Sequence, residues 1–206
     1  VHYAWKTPYM AHFGADATCD PKYAESFPLM RIMCGSGCHA EIEAAQRAEF
    51  MSRIEDGLYW NRMDDAQPWR AVYKPGFDGT PREVDLCNLT GAGRMLRALV
   101  TWRELSGDPA WDRPIRELVV GLARIAIRHD EYSYYPDGAF GEPFNYPRSG
   151  WDGTDEAQSE TEGGEGTVVA YHGHTIQGLS RWYALSGDPE ALDLATRLTR
   201  YCMLPR

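Results

Sequence analysis

The pentapeptide Leu-Ser-Gly-Asp-Pro occurs twice in the chain, at residues 105–109 and 185–189. In each copy the Gly suits the left-handed position just past a helix C-terminus. The Asp that follows suits a helix N-cap, and the Pro suits the first helical position, where no N–H is needed. The residues upstream match in register and have helical spacing: Gly93, Leu99 and Trp102 correspond to Gly173, Leu179 and Trp182. The sequence therefore predicts an internal repeat in which each copy is a helical hairpin with a tight turn.

A third, weaker copy surrounds Gly35, which corresponds to Gly107 at a slightly shorter offset than the one between the two pentapeptides. Ser36 replaces the capping Asp, and Asp20-Pro21 supplies a cap followed by Pro for the preceding helix. The pattern predicts one all-α domain over residues 1–206, with hairpins at about 21–55, 91–128 and 174–203. The predicted helices cover about 21–33, 38–55, 91–105, 110–128, 174–185 and 190–203. Trp102 and Trp182 occupy equivalent helical positions, so we expect both in the core.

The net charge of −9, from 30 acidic and 21 basic residues, argues against two classes of partner. Nucleic-acid-binding domains are basic, and anionic lipid surfaces attract basic segments. No apolar run approaches the roughly 20 residues of a membrane span. We therefore expect neither a nucleic acid nor a membrane as partner, while the compartment stays open.

The five cysteines predict neither a disulfide framework nor a metal site. Cys34, Cys38 and His39 form a C-x3-C-H pattern, but the intervening Gly-Ser-Gly is needed to turn between two helices. No second ligand pair stands at a zinc-like spacing, and the acidic run from Asp152 has no ordered calcium-binding pattern. We expect no cofactor, and we expect Cys202 to be a small buried hydrophobe in a helical stripe.

Short and long connections alternate along the predicted helices. The long ones cover about 56–90 and 129–170 and are rich in turn residues, aromatics and carboxylates. In antiparallel hairpins laid side by side, alternate connections emerge at opposite ends, so both long connections should lie at one end. Loops of this length in a compact domain are usually functional.

Repeated helical hairpins with turns such as Leu-Ser-Gly-Asp-Pro at 185–189, and loop motifs such as Tyr-Tyr-Pro-Asp-Gly at 134–138, resemble the six-hairpin glycosidases. The resemblance implies an (α/α)6 toroid, or a half-toroid, with the active-site cleft at the long-loop end. It covers the chain from about Pro21 to Met203 and implies a carbohydrate substrate. Toroids of this type include glycoside hydrolases, unsaturated-uronide hydrolases, polysaccharide lyases and epimerases.

The chain departs from that family in hairpin number, because three hairpins are readable where a full toroid needs six. Three explanations stay open. The sequence is about half of a barrel whose C-terminal half is missing, or self-association completes the ring, or the hairpins form an open array. The abrupt end after the sixth predicted helix favours a fragment.

Glycoside hydrolysis needs two carboxyl groups that flank the scissile bond, one of them protonated. Asp137 follows three tyrosines and a proline, and burial by rings would raise its pKa, as suits a general acid. Glu142, among Phe140, Phe144 and Tyr146, is the second candidate. The alternative for Asp137 is plain turn chemistry, since Pro-Asp-Gly is a strong turn signal.

Tyr171-His172-Gly173-His174 just precedes the fifth predicted helix, at the long-loop end. A histidine there can act as acid or base near neutral pH, so His172 and His174 are catalytic candidates and Tyr171 is a substrate-binding candidate. The alternative is that one histidine caps the helix and the other packs under the loop.

Sugar rings stack on aromatic faces, and a guanidinium pairs with a carboxylated sugar. The candidate substrate-binding residues of this kind in the long connections are Trp60, Trp69, Tyr134, Arg148 and Trp151. For each aromatic side chain the alternative is packing within the loops.

Three functions follow from these patterns. The first is hydrolysis of a poly- or oligosaccharide by paired carboxylates. The second is a polysaccharide lyase on an acidic glycan, with Tyr or His as base and Arg holding the uronate. The third is a non-catalytic helical-repeat binding module, against which the long aromatic-rich loops argue because such repeats usually keep short connections.

Overall fold

A computed structural model describes residues 20–60, 85–135, 145–148, 150–151 and 169–204. Helices make up 71% of these residues, which confirms the all-α class. The six α-helices of the described residues are α1 (Asp20–Cys34), α2 (Ala40–Ser52), α3 (Leu89–Ser106), α4 (Asp112–Ile125), α5 (Val169–Ser186) and α6 (Pro189–Cys202). The toroid or half-toroid stays a prediction.

Short strands form three antiparallel pairs in the described residues. The strands are β1 (Ile54–Glu55), β2 (Leu58–Tyr59), β3 (Leu86–Asn88), β4 (Ile127–Arg128), β5 (Ser133–Tyr134) and β6 (Asn145–Pro147). Strands β1 and β2 pair in a hairpin, β4 pairs with β5, and β3 pairs with β6, with Cys87 opposite Tyr146. The strands lie next to the helix ends from which the long connections leave.

The Ser-Gly-Asp-Pro turns have the predicted backbone geometry. Gly107 and Gly187 adopt left-handed φ angles of 68° and 72°. The Asp108 carboxylate accepts the Ala110 N–H at 2.9 Å, and the Asp188 carboxylate accepts the Glu190 N–H at 3.0 Å. Each turn thus ends one helix, as predicted. Asp188 caps α6, whereas Asp108 caps a 3-10 turn that precedes α4.

The predicted end of the second helix is wrong. We expected the helix to reach Glu55, with Asp56-Gly57 as its stop. Helix α2 instead ends at Ser52, and Ile54–Glu55 pairs with Leu58–Tyr59. Asp56 and Gly57 form the hairpin turn, with φ angles of 52° and 72°, as a two-residue hairpin loop requires.

Two other predicted helix limits are also wrong. The fourth helix, expected from Ala110 to Arg128, begins only at Asp112 after a 3-10 turn at Pro109–Trp111, and its last expected residues form β4. The fifth helix, expected from His174, begins at Val169, so both histidines are helical. Gly173 lies inside this helix, as Gly93 lies inside α3.

Helix α3 packs between α1 and α5. Residues further along α3 contact residues further along α5. A Cβ at Gly93 would lie 2.5 Å from the Thr175 hydroxyl, and a Cβ at Gly178 would lie 2.9 Å from Leu96. The two helices therefore run parallel and approach closely through their glycines. On the other side, the Trp102 indole N–H donates to the Ala24 carbonyl of α1 at 2.8 Å.

The core lies along α3, α4 and the inner faces of α5 and α6. Trp102 and Trp182 are 4% and 1% exposed, which confirms that both are core residues. Cys202 is half-buried rather than buried and packs beside a smaller cluster around Tyr134 and Tyr201. Among the described cysteines, Cys34, Cys38 and Cys87 are free thiols. None of the described helices has the length and hydropathy needed to cross a membrane.

Candidate functional site

The two long connections meet at one end of the helices. Strand β3 ends the first connection and β6 belongs to the second, and the two strands pair antiparallel. The described strands of the two connections are thus in contact, and the prediction that both connections lie wholly at one end stays a prediction. Helix α3 begins directly after β3, so its first turns lie next to this meeting point.

Trp60 and Arg148, one from each connection, are in direct contact. The Arg148 guanidinium lies 4.2 Å from the centre of the Trp60 ring, and the ring is only 3% exposed. The indole N–H donates to the Glu55 carbonyl at 2.9 Å. Arg148 also donates to Asp85 at 2.8 Å and to the Glu55 carboxylate at 2.7 Å. Two carboxylates thus hold Arg148 over Trp60, and the arginine covers the ring face that we proposed for a sugar.

Trp151 is half-buried at the same meeting point. Its indole N–H donates to the Ile125 carbonyl at 2.7 Å, which fixes the ring at the end of α4. Tyr146 of β6 meets it edge-on, with ring centres 4.8 Å apart. Of the described aromatic candidates, Trp151 is the one that is half-buried rather than buried.

His172 and Tyr134 are buried together beside Tyr201. His172 is 1% exposed, and its Nε2 accepts the Tyr135 backbone N–H at 3.2 Å. The Tyr134 ring is 1% exposed and stacks on Tyr201 with centres 5.0 Å apart. These contacts hold the second connection against α5 and α6. Both side chains are therefore packed, as the alternative interpretation of each residue proposed. Their catalytic and binding roles stay predictions.

His174 lies between two arginines of α3. Its Nε2 is 3.1 Å from an Arg94 nitrogen and its Nδ1 is 3.2 Å from an Arg97 nitrogen. Burial, and then the positive charges of Arg94, Arg97 and Lys22, lower the His174 pKa to about 4. The imidazole is therefore neutral at pH 7. A neutral imidazole has a single acceptor nitrogen, so one of the two arginine contacts is a hydrogen bond and the other is not.

Glu25 of α1 completes this group, which we call the inter-helix polar cluster: Lys22, Glu25, Arg94, Arg97, His174 and Arg181. The Glu25 carboxylate is 2.9 Å from Arg97 and 3.4 Å from Arg181, and it accepts from the Thr101 hydroxyl at 3.4 Å. Arg181 also pairs with Glu104. The cluster thus joins α1, α3 and α5 through charged side chains that are half-buried, with Lys22 exposed at its edge.

Sequence reasoning missed every member of this cluster except His174. The signal was present, because Arg94 and His174 occupy equivalent positions of the internal repeat. Equivalent residues on adjacent parallel helices lie near the same level, and they therefore meet here.

Four predicted site residues have side chains outside the described part of the structure: Asp137, Glu142, Trp69 and Tyr171. The structure thus brings Trp60 together with Arg148, and His172 together with Tyr134, and it places His174 in a separate cluster. Within the described ranges, no three His, Cys, Asp or Glu side chains are grouped as metal ligands. Comparison with protein-family models, curated proteins and solved structures gives no match to this chain.

Proposed function

We propose that this chain belongs to a carbohydrate-active enzyme, a glycoside hydrolase that cleaves a poly- or oligosaccharide with paired carboxylates. The observation that carries the proposal is the β3–β6 pairing, which joins the two long connections at one end of parallel helices. An extended substrate needs a cleft built from several segments, and this junction gathers aromatic, cationic and acidic side chains from both connections.

The proposed catalytic carboxyl groups are Asp137 and Glu142. Their segment begins after Tyr135, whose hydroxyl donates to the Leu122 carbonyl at 3.0 Å, and it ends at β6. Its first flank is therefore held on α4, and its second flank is held in the β3–β6 pair. One carboxyl group protonates the leaving oxygen, and the other acts as nucleophile or activates water.

Trp151 is the proposed stacking platform among the described residues, with Trp69 and Tyr171 in the same role. Asp85 and Glu55 hold Arg148 in place, so its proposed role is to position the junction of the two connections. It binds a sugar only while it stays paired with both carboxylates. The half-toroid arrangement is supported by the parallel packing of α3 on α5 and by the two identical turns.

The test is release of reducing sugar from a panel of oligosaccharides and polysaccharides. Removing a general acid or base typically costs about 10²–10⁴-fold, so Asp137→Asn and Glu142→Gln should lose at least about 100-fold in kcat/KM on a substrate that the wild type cleaves. Glu131→Gln is the matched control, because Glu131 is an exposed carboxylate of the same connection. Full activity of both variants would refute the paired-carboxylate mechanism.

A polysaccharide lyase is the second candidate, and one observation favours it. His174 is neutral at pH 7 and lies beside Arg94 and Arg97. The acceptor nitrogen of a neutral imidazole can abstract the proton next to a uronate carboxylate once the arginine that donates to it turns to pair with that carboxylate. Ultraviolet absorbance of an unsaturated product, lost in His174→Gln and kept in Asp137→Asn, would select the lyase. Binding of glycans without turnover would instead select the binding module.

A further inference from the structure

The β4–β5 hairpin ends on a side chain, whereas the β1–β2 hairpin ends on the backbone. In each hairpin a buried aromatic residue directly follows the second strand: Trp60 after β2 and Tyr135 after β5. The Trp60 backbone N–H donates to the Arg53 carbonyl at 2.9 Å, which continues the β1–β2 pairing. The Tyr135 backbone N–H instead donates to Nε2 of His172, a residue of α5, at 3.2 Å. A titratable ring thus takes the place of a backbone carbonyl.

This hydrogen bond fixes the protonation state of His172. A ring nitrogen that accepts a hydrogen bond carries no proton, so the imidazole is neutral and has its proton on Nδ1. The residue is 1% exposed. A proton on Nε2 would place two donors against each other, because the Tyr135 N–H points at the same atom, and it would also bury a charge. The observed arrangement therefore excludes the protonated ring.

Tyrosine rings pack against the imidazole from two elements. The Tyr135 ring stacks on it with centres 5.7 Å apart, and the Tyr201 ring of α6 has its centre 5.1 Å away. Burial, and then the nearby Cys87 thiol, raise the pKa of the Tyr135 phenol, so this side chain is neutral throughout the acid range. A solvated phenol has a pKa of about 10, so Tyr201 is neutral there as well.

Two other described histidines lie near this group. His129 stacks on Tyr134 with centres 5.9 Å apart, and Tyr134 in turn stacks on Tyr201. His174 is two residues further along α5, and its ring nitrogens contact arginines of α3. The Tyr135 N–H donates to the ring of His172 and not to either of these, so the charge on His172 decides whether this bond forms.

We propose that His172 is an acid-sensitive latch, which we define as a contact that holds the Tyr135 backbone on α5 only while the imidazole is neutral. In acid a proton from solvent binds Nε2 in place of the Tyr135 N–H, and the backbone at Tyr135 separates from α5. The Tyr135 hydroxyl still donates to the Leu122 carbonyl at 3.0 Å, so the residue stays attached to α4 and the opening is local. The proposal does not depend on the proposed function.

Proton linkage sets the size of the effect. The closed form binds no proton at His172, whereas the open form exposes an imidazole with the ordinary histidine pKa of about 6.5. The equilibrium constant for opening therefore rises by about 10-fold between pH 7.5 and pH 5.5, and by about 100-fold between pH 7.5 and pH 4.5. Well above pH 6.5 neither form binds this proton, so the constant levels off.

Amide hydrogen exchange at Tyr135 tests the latch, with each rate divided by the intrinsic exchange rate at the same pH. Protection of this amide in the wild type should fall about 10-fold from pH 7.5 to pH 5.5. The Trp60 amide is the matched control, because it follows the equivalent strand and its acceptor, the Arg53 carbonyl, does not titrate. Its protection should change much less. An equal fall at both amides would mean that the whole domain opens, and it would overturn the proposal.

His172→Gln separates the proton from the hydrogen-bond acceptor. Glutamine offers an amide oxygen to the Tyr135 N–H but takes up no proton in this range, so the protection of Tyr135 should become independent of pH. His174→Gln is the matched variant on the same helix, and it should keep the fall seen in the wild type. A fall that persists in His172→Gln, or one that both variants reduce equally, would refute the latch.

A measurement on the wild type covers the case in which glutamine does not fit at this position. Nitrogen-15 NMR of the His172 imidazole at pH 7.5 should show a neutral ring that is protonated on Nδ1. A ring protonated on Nε2 at this pH could not accept the Tyr135 N–H, and the proposal would then be wrong.

Discussion

Gly121 of α4 lies directly against Gly57 in the turn of the β1–β2 hairpin. A Cβ at Gly121 would overlap the Gly57 carbonyl oxygen and lie 2.9 Å from the Gly57 Cα, and a Cβ at Gly57 would lie 3.0 Å from the Gly121 Cα. Two backbones are therefore in contact with no side chain between them. The hairpin that begins the first long connection is positioned on α4 by this pair.

Gly121→Ala should destabilise the protein, although alanine is the better helix former. The added methyl would overlap backbone atoms rather than a flexible side chain, so the hairpin must move away from α4. We expect a loss of about 1–3 kcal/mol in the free energy of unfolding, as overpacked sites show. Urea denaturation measures it. Val120→Ala, at a 45% exposed neighbouring position, should change stability by less than about 0.5 kcal/mol.

The two repeat turns should respond unequally to loss of their capping carboxylates. Asp108 accepts the Ala110 N–H, whereas Asp188 accepts both the Glu190 N–H and the Trp182 indole N–H, the latter at 3.0 Å. Asp108→Ala should cost about 1 kcal/mol, the usual value for an N-cap.

Asp188→Ala should cost about 1–3 kcal/mol more than Asp108→Ala, because it also leaves the indole N–H of a 1% exposed tryptophan without this acceptor. Equal losses in parallel denaturation curves would mean that the Trp182 hydrogen bond contributes nothing. Asp188→Asn keeps one acceptor oxygen for two donors, so it should recover only part of the loss seen in Asp188→Ala.

Local patterns predicted these turns because each one is decided by four consecutive residues. Gly107 supplies the left-handed angle, Asp108 supplies the cap, and the chain needs no distant partner to form either. The same reasoning predicted Trp102 and Trp182 as core residues, since a helical stripe has one buried side whatever packs against it.

Pairings between distant segments were beyond that reasoning. Strand β3 pairs with β6, far along the chain, through Cys87 and Tyr146, and each strand is too short to show an alternating pattern. Trp60 was expected to bind substrate because it is an aromatic side chain in a long connection, yet Arg148, from the other connection, covers its ring. The amino-acid sequence of a long loop does not show whether an aromatic side chain in it is exposed or packed.

Asp20→Asn should strongly destabilise the chain. Asp20 and Arg53 are 4% and 3% exposed, and their charged atoms are 3.4 Å apart. Removing one charge of a buried pair leaves the other uncompensated, at a typical cost of about 3–5 kcal/mol. Arg53 keeps Glu49 at 3.0 Å, so we expect about 3 kcal/mol, the lower end of that range. Denaturation of the variant measures the loss.

The comparison for Asp20 is Glu117→Gln, which removes an exposed pair with Arg113 at 2.8 Å. Surface pairs of this kind contribute less than about 0.5 kcal/mol within one helix. If both substitutions had the same small effect, the Asp20–Arg53 pair would have to be hydrated in solution.

His174 should remain neutral well below pH 6. Burial first, and then Arg94, Arg97 and Lys22, lower its pKa from 6.5 to about 4. Between these values the unfolded chain binds a proton that the folded chain does not, so the free energy of unfolding falls as the pH falls from 6.5 toward 4. Above pH 6.5 both states are neutral and this contribution is constant.

A histidine NMR titration measures the midpoint directly, with His174→Gln used to assign the resonance. Arg97→Gln should raise the midpoint, because it removes a positive charge 3.2 Å from Nδ1. Arg128→Gln, in the exposed pair with Asp193 at 3.0 Å, should leave it unchanged. His174→Gln should also flatten the fall in stability between pH 6.5 and 4. A midpoint near 6.5 in the wild type would mean that the three cations are too well screened to act on this imidazole.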